Sequence, residues 1–374
     1  MKTQSVAIVL HDLRGGGAEK MMVRLANALA EQNTAVTMVL LTEGGVNKAE
    51  LSSAVKLVEL GSPRTLSSVP RLAAYLREAQ PDRILSALTH VNVAAALACA
   101  MTGMLRRLVV SERNTYSLDK KVNTGAVMKF TYWLAPRIYR RLPNPVIAVS
   151  GGVARDLVET ESLRPKDIVV APNPVLTAKV LTMMDEPASH PWLQDPATRV
   201  VVAVGRLSHQ KGFDTLIRAF AQVADIPNLR LVIFGEGELR EELSALVSQL
   251  QLTERVDLPG YAANPLAEMK AADLFVLSSR FEGSPNVLVE AMATGVPVLA
   301  TNCPSGPDEI LDQGRLAPLV PVDNVNAMAQ ALRQCMEQPS DNAELKNRAD
   351  RYRDALSAQA YSAVLNGSVT VWGR

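Results

Sequence analysis

The chain has 374 residues, 48% of them hydrophobic, which is ample material for a packed core and favours two domains over one. Its 39 Lys and Arg against 38 Asp and Glu leave a formal charge of +1, so no general attraction to nucleic acid exists and no nucleic-acid partner is expected. The three cysteines, Cys99, Cys303 and Cys335, form neither a CxxC pair nor an even-numbered framework, and read as buried structural thiols of a reducing, cytoplasmic compartment.

"MKTQSVAIVLHD" opens directly on a strand pattern without the apolar core and cleavage site of a signal peptide, so export by that route is not expected. "VAIVL", the glycine-rich turn "RGGGA", the amphipathic "EKMMVRLANALAEQ" and "AVTMVLL" then form a strand, helix, strand unit. Its strands are apolar on both faces, as in a parallel sheet. Glu43 closes the second strand as a ribose-binding acid would, which keeps a dinucleotide-dependent oxidoreductase as an alternative. Lys20, standing where G-x-G-x-x-G needs its third glycine, argues against it. Further strands at "RILSA", "RRLVV" and "VIAVS" make the first half a doubly wound α/β domain over residues 1–176. The apolar stretch 91–105 is interrupted by Asn92 and too short for the roughly twenty residues that span a bilayer; it predicts a buried helix.

Residues 119–143 hold six basic side chains, one acid and four aromatics. Val127, Thr131, Leu134, Ile138 and Leu142 follow helical spacing, leaving Lys129, Trp133, Arg137, Arg140 and Arg141 elsewhere. Such a helix suits an anionic membrane surface, and equally a core helix with a solvated basic face.

The Pro-rich "MMDEPASHPWLQDPAT" marks the boundary to a second domain, 177–354. There "RVVVAVG", "RLVIFG", "RVDLPG", "DLFVLSS", "VPVLAT" and "APLVPV" give six strands, each separated from the next by a helix. Two doubly wound domains of this kind face a shared cleft with the carboxyl ends of their strands. The last segment is helical in pattern and predicts a helix, 355–374, that completes the first domain.

"GRLSHQKGF" follows the first strand of the second domain, with Arg206 and Lys211 in the loop and Gly205 and Gly212 letting it turn. A planar guanidinium fork and a point charge at the end of a parallel strand suit a diphosphate. In "RFEGSPNVLVEA", Glu282 and Glu290 flank a helix start that Ser284 is expected to cap, with Pro285 at its first position and Gly295 at its end. Gly283 and Ser284 lead into N–H groups of Asn286, Val287 and Leu288 that are open to an anion. Eight residues of helix span at most roughly 12 Å, enough for two carboxylates to grip the two sugars of one elongated anion.

Together "GGGAE", "GRLSHQKG", "GEGELREEL" and "RFEGSPNVLVEAMATGVPVLAT" resemble glycosyltransferase family four, in its bacterial surface-polysaccharide subgroup, over nearly the whole chain. The resemblance implies a GT-B fold and retaining transfer of a hexose or N-acetylhexosamine from a nucleotide-sugar, UDP-linked, to a growing lipid-linked glycan. It implies that Glu290 bonds the ribose hydroxyls and Glu282 those of the donor sugar, while Arg206 and Lys211 neutralise the diphosphate. Gly16 and Gly17 of the glycine loop would approach the transferred sugar, Gly235 and Glu236 of "FGEGE" the base, and Ser305, Gly306 and Glu309 the cleft rim. Ser111, Glu112, Arg113 and Asn114 replace the histidine many members carry there, a subgroup feature. Glu112 is then a candidate for contacting the acceptor hydroxyl, or alternatively pairs with Arg113, with Asn114 nearby. His11 and His90, at strand ends, are each as readily structural as ligands. A non-catalytic partner and a sugar-nucleotide epimerase are the competing readings on this architecture. With no D-x-D pair and no His or Cys cluster of ligand spacing, neither a metal nor another cofactor is expected.

Overall fold

The computed structural model describes residues 4–14, 16–338 and 342–368, and the chain divides into two compact units, 1–175 with 352–374, and 176–351. Gly15 of the glycine loop and the end of the expected C-terminal helix, 369–374, lie outside the described residues.

In the first unit the apolar runs become β1 (Ser5–Leu10), β2 (Ala35–Leu40), β3 (Lys56–Glu59), β4 (Arg83–Ala87), β5 (Leu108–Glu112), β6 (Val146–Ala148) and β7 (Ile168–Val170). They form one parallel sheet in the order β3-β2-β1-β4-β5-β6-β7. Ile8 pairs with Met38 on one side and Leu85 on the other, so β1 is central and buried on both faces, which is why it reads as an unbroken apolar run. One face packs against the helix Thr89–Thr102, which stands where the apolar stretch predicts one. The other packs against Gly17–Glu31 and, from the end of the chain, Asp354–Leu365. Ala358, Tyr361, Val364 and Leu365 share a core with Met22, Leu25 and Leu29. The helical pattern of the last segment is split in two: Ala343–Ala349 ends in a tight turn, Asp350–Tyr352, before Asp354 starts the next helix.

The second unit repeats the plan with β8 (Arg199–Val204), β9 (Leu229–Phe234), β10 (Val256–Gly260), β11 (Leu274–Leu277), β12 (Val298–Thr301) and β13 (Leu319–Val320), parallel and ordered β10-β9-β8-β11-β12-β13. In both units the order reverses beside the first strand, between β1 and β4 and between β8 and β11. In doubly wound sheets ligands bind beyond the carboxyl ends of the strands at such a switch point.

The basic segment is corrected in register. Its helix, Ala126–Tyr139, buries Thr131, Tyr132, Ala135 and Tyr139, whereas Val127 is 62% exposed. The tyrosines go inward because their hydroxyls find carboxylates there: Tyr132 donates to the half-buried Asp119 and Tyr139 to the buried Glu112. Phe130 and Trp133 are left outside, stacked at 5.7 Å, with the Arg137 guanidinium 3.9 Å from the Trp133 ring centre. Among the described residues no helix is long and apolar enough to cross a membrane. Cys99 and Cys303 are buried free thiols, both pushed up to about 12 by that burial, and Cys335 is half-buried.

Candidate active site

The loops after β8 and β11, adjacent strands at the second switch point, carry the charged residues the sequence singles out. Lys211 Nζ meets Glu282 Oε1 at 2.5 Å, and the Ser279 hydroxyl donates to the same oxygen at 2.7 Å. Glu282 is only 6% exposed, so this ion pair is screened little by solvent. Arg206, in the same loop as Lys211, is exposed, and its guanidinium has no side-chain partner among the described residues. Gly212 closes the loop with φ +61°, and a Cβ there would stand 2.3 Å from the Ser278 carbonyl oxygen; only glycine lets the two loops approach this closely. Gly235, after β9, has φ +143°, and its Cβ would fall 1.8 Å from the Gly205 carbonyl oxygen, so the third loop is packed backbone to backbone on the first. Glu236 does not project freely from it: Arg240 holds both its carboxylate oxygens at 2.6 Å.

The helix between the two glutamates runs Asn286–Thr294, with Gly295 left-handed at its end as expected. Its N-cap is Pro285, not Ser284, and no side chain caps it. Ser284 is buried one residue further back. The N–H groups are fewer than the sequence implies, because Leu288 already donates to the Pro285 carbonyl at 3.1 Å, a tightened first turn. Glu290 stands half-buried in the second turn, and Gly306 lies against Pro285. Ser305 is buried at φ +65°, and the Glu309 carbonyl accepts from Arg348 at 2.6 Å.

In the first unit, His11, after β1, and His90, after β4, meet edge to face at the other switch point, ring centres 5.5 Å apart. Both line a cavity of about 850 Å³ together with Glu112, Arg113 and Asn114. Burial holds the His90 imidazole down at about 4, helped by His11 and opposed by Asp12, so it is neutral at physiological pH. Gly16 and Gly17 cap and begin the helix after β1 and are not among the cavity's lining residues. Glu43 is exposed beyond the end of β2.

Of the two expectations for Glu112, the ion pair with Arg113 needs correction, while the carboxyl does line the cavity. The carboxyl is buried among donors: Thr89 Oγ1 at 2.9 Å, Asn92 Nδ2 at 3.3 Å and the Tyr139 hydroxyl. Burial raises it to about 7, with these three bonds pulling back down and Asp119 adding to the rise. It forms no ion pair with Arg113, whose fork points to the opposite face of the sheet and donates to the Tyr361 hydroxyl and Asn173 Oδ1, both at 2.6 Å. Successive side chains of a strand alternate faces, which is what separates the two. Asp119, which the sequence does not single out, also lines the cavity, accepting from Asn114 Nδ2 at 3.3 Å and from the Tyr132 hydroxyl.

Two doubly wound parallel sheets, each with a switch point beside its first strand, are the architecture of a GT-B glycosyltransferase. The chain belongs to glycosyltransferase family four: residues 15–179 match the model described as Glycosyltransferase Family 4, and 185–352 that of Glycosyl transferases group 1. It is 35% identical over 259 residues, 68% of this chain and 67% of the relative, to a Campylobacter jejuni protein. That protein is named N-acetylgalactosamine-N,N'-diacetylbacillosaminyl-diphospho-undecaprenol 4-alpha-N-acetylgalactosaminyltransferase. It is 26% identical over 93% of both chains to the Rhizobium meliloti lipopolysaccharide core biosynthesis glycosyltransferase LpsE. The solved structure of Anabaena Alr3699/HepE in complex with UDP has the same fold, with a TM-score of 0.78 and 21% identity over 98% of this chain and 100% of that one.

Proposed function

We propose that this chain is a retaining, metal-independent transferase that holds a UDP-linked sugar on its second unit and passes a hexose or N-acetylhexosamine to a growing, lipid-linked surface glycan. The observation that carries this reading is the Lys211–Glu282 pair at the β8/β11 switch point, with Arg206, in the loop of Lys211, exposed and without a side-chain partner among the described residues. In it, Arg206 and Lys211 neutralise the diphosphate, Glu282 takes hydroxyls of the transferred sugar, and Glu290 takes those of the ribose, since an ionised carboxylate is an acceptor suited to vicinal hydroxyls. The acceptor oxygen bonds the anomeric carbon on the face the diphosphate leaves. The carbon–oxygen bond to phosphate breaks with its electrons on the phosphate, and that oxygen takes the acceptor's proton. The protein's part is positioning, and stabilising the charge that develops on the leaving group.

The cavity of the first unit, with neutral His90 as a hydrogen-bonding group, would receive the acceptor. Support for a lipid-linked acceptor comes from the name of the Campylobacter relative, and support for UDP from the Anabaena complex. The exposed Phe130 and Trp133, beside Arg137, Arg140 and Arg141, suit an anionic membrane surface, which would be the cytoplasmic leaflet. Metal independence rests on the sequence having no D-x-D pair and on no three His, Cys, Asp or Glu side chains gathering among the described residues.

Calorimetry with UDP and a nucleotide-release assay over a panel of UDP-sugars test the reading together. Glu290→Gln should weaken UDP itself. Glu282→Gln should bind UDP and lose turnover, since displacing a reacting carbon by about 1 Å can cost on the order of a hundredfold. Wild-type behaviour of both variants would remove the glutamate pair from the site, and activity abolished by EDTA and restored by Mn²⁺ would overturn the metal-free mechanism.

A further inference from the structure

Arg280 opens the segment that leads to Glu282, and its side chain is 13% exposed. Its guanidinium is fully engaged: Nε donates to Asp323 Oδ1 at 2.7 Å, Nη2 to Asp214 Oδ2 at 2.8 Å, and Nη1 to the His209 carbonyl at 2.8 Å. Its backbone N–H donates to the Gln210 carbonyl at 2.7 Å, and Gln210 Nε2 returns a bond to the Phe281 carbonyl at 2.9 Å. The Ser278 hydroxyl donates to the Lys211 carbonyl at 2.8 Å. Three successive carbonyls, of His209, Gln210 and Lys211, are thus each held by the 278–280 segment.

We propose that Arg280 is a positioning residue for the donor site, fixing the turn that carries Lys211 against the loop that carries Glu282 without itself meeting the donor. Two aspartates more than neutralise its charge, and the fork has no direction left in which to meet a diphosphate. What it supplies is register. It ties the turn to the start of the helix Phe213–Ala221 through Asp214 and to the loop after β13 through Asp323, so the Lys211 ammonium is held within ion-pair reach of Glu282. The inference rests on the reading of Lys211 and Glu282 as donor-site residues.

The test is UDP calorimetry and steady-state turnover on Arg280→Met, Arg280→Lys and, as a control, Arg315→Met, all at a temperature well below each variant's melting point. Arg315 makes exposed ion pairs with Asp312 and Glu344 in the same unit, at no contact with these loops. Arg280→Met should lose about tenfold in UDP affinity and on the order of a hundredfold in kcat/KM, with kcat itself reduced, because the lysine is misplaced and not removed. Arg280→Lys keeps the charge but not the fork, and should recover melting temperature more completely than kcat. Arg315→Met should leave both constants unchanged. UDP affinity and kcat in folded Arg280→Met within twofold of wild type would overturn the proposal, as would losses that Arg315→Met reproduces or that Arg280→Lys restores in step with stability. If Arg280→Met does not fold, Arg280→Lys decides: wild-type affinity and kcat in it overturn the proposal. Wild-type protein that binds no nucleoside diphosphate would overturn the donor-site reading and this inference together, whereas binding unaffected by Arg280 overturns only the inference.

Discussion

Replacing Lys211 by Met separates what the Lys211–Glu282 pair does for folding from what it does for the donor. The ammonium lies 2.5 Å from a carboxylate whose side chain is 8% exposed, while the lysine's own is 18% exposed. Removing the cation leaves a buried carboxylate without its counter-charge, which typically costs 3–5 kcal/mol; the partial exposure of the lysine puts this site at the lower end, about 3 kcal/mol. For a domain of this size each kcal/mol lowers the melting temperature by roughly 2–4 °C, so the variant should melt about 6–12 °C lower. The double change Lys211→Met with Glu282→Gln removes the buried charge and should recover more than half of that loss, since the amide oxygen still accepts from Ser279. UDP affinity should not recover. A charge-assisted contact is worth roughly 1.5–3 kcal/mol, so both variants should bind UDP about ten- to a hundredfold more weakly. Thermal circular dichroism and calorimetry read the two effects. A single variant that melts within about 2 °C of wild type would refute the electrostatic argument, and UDP affinity restored in the double variant would remove Lys211 from the donor site.

Two further outcomes follow from the first unit. Glu112 is raised from 4.5 to about 7, so its neutral form contributes stability that is fully present below about 4.5 and is lost as pH rises through 7. Glu112→Gln, which cannot ionise, should therefore melt progressively higher relative to wild type between pH 5 and pH 8, and a difference that is constant across that range would show the carboxyl to be uncoupled from folding. On the exposed face of the helix Ala126–Tyr139, Trp133→Ser should weaken sedimentation with anionic vesicles at any salt. Changing Arg137, Arg140 and Arg141 to Gln should weaken it by about 1 kcal/mol per charge, an effect that shrinks in high salt. Equal sedimentation of all variants would assign the face to solvent.

Strands buried on both faces announce themselves. All six of the second unit, and β1, β2, β4, β5 and β6 of the first, stand on apolar runs quoted from the sequence. β3 and β7 do not; β3, Lys56–Glu59, has an exposed charged residue at each end in place of an apolar run. Local chemistry placed the Gly295 terminus but not the cap, since a residue before a proline is held out of the helical region and Pro285 takes the boundary itself. The residues missed or misread are those whose partners are distant in the chain. Arg280 meets Asp214, His209 and Asp323 across 66, 71 and 43 positions, and Glu112 meets Tyr139 across 27. No window of neighbouring residues contains such a network. Tyr132 and Tyr139 shift the helix's buried stripe for the same reason, because the acids they donate to come from other segments.

The helix Asp354–Leu365 closes the face of a sheet whose strands were all made before residue 171. Synthesis of the 176–351 segment in between takes roughly 10–35 s at the usual 5–20 residues per second. Through that interval Met22, Leu25 and Leu29 lack the apolar cover they finally receive, and Arg113 lacks the Tyr361 hydroxyl. The second unit, contiguous in sequence, can complete its fold on the ribosome first, and the unit made earliest is finished last. A nascent chain halted anywhere before this helix presents a sticky, half-built sheet, the species a chaperone would bind.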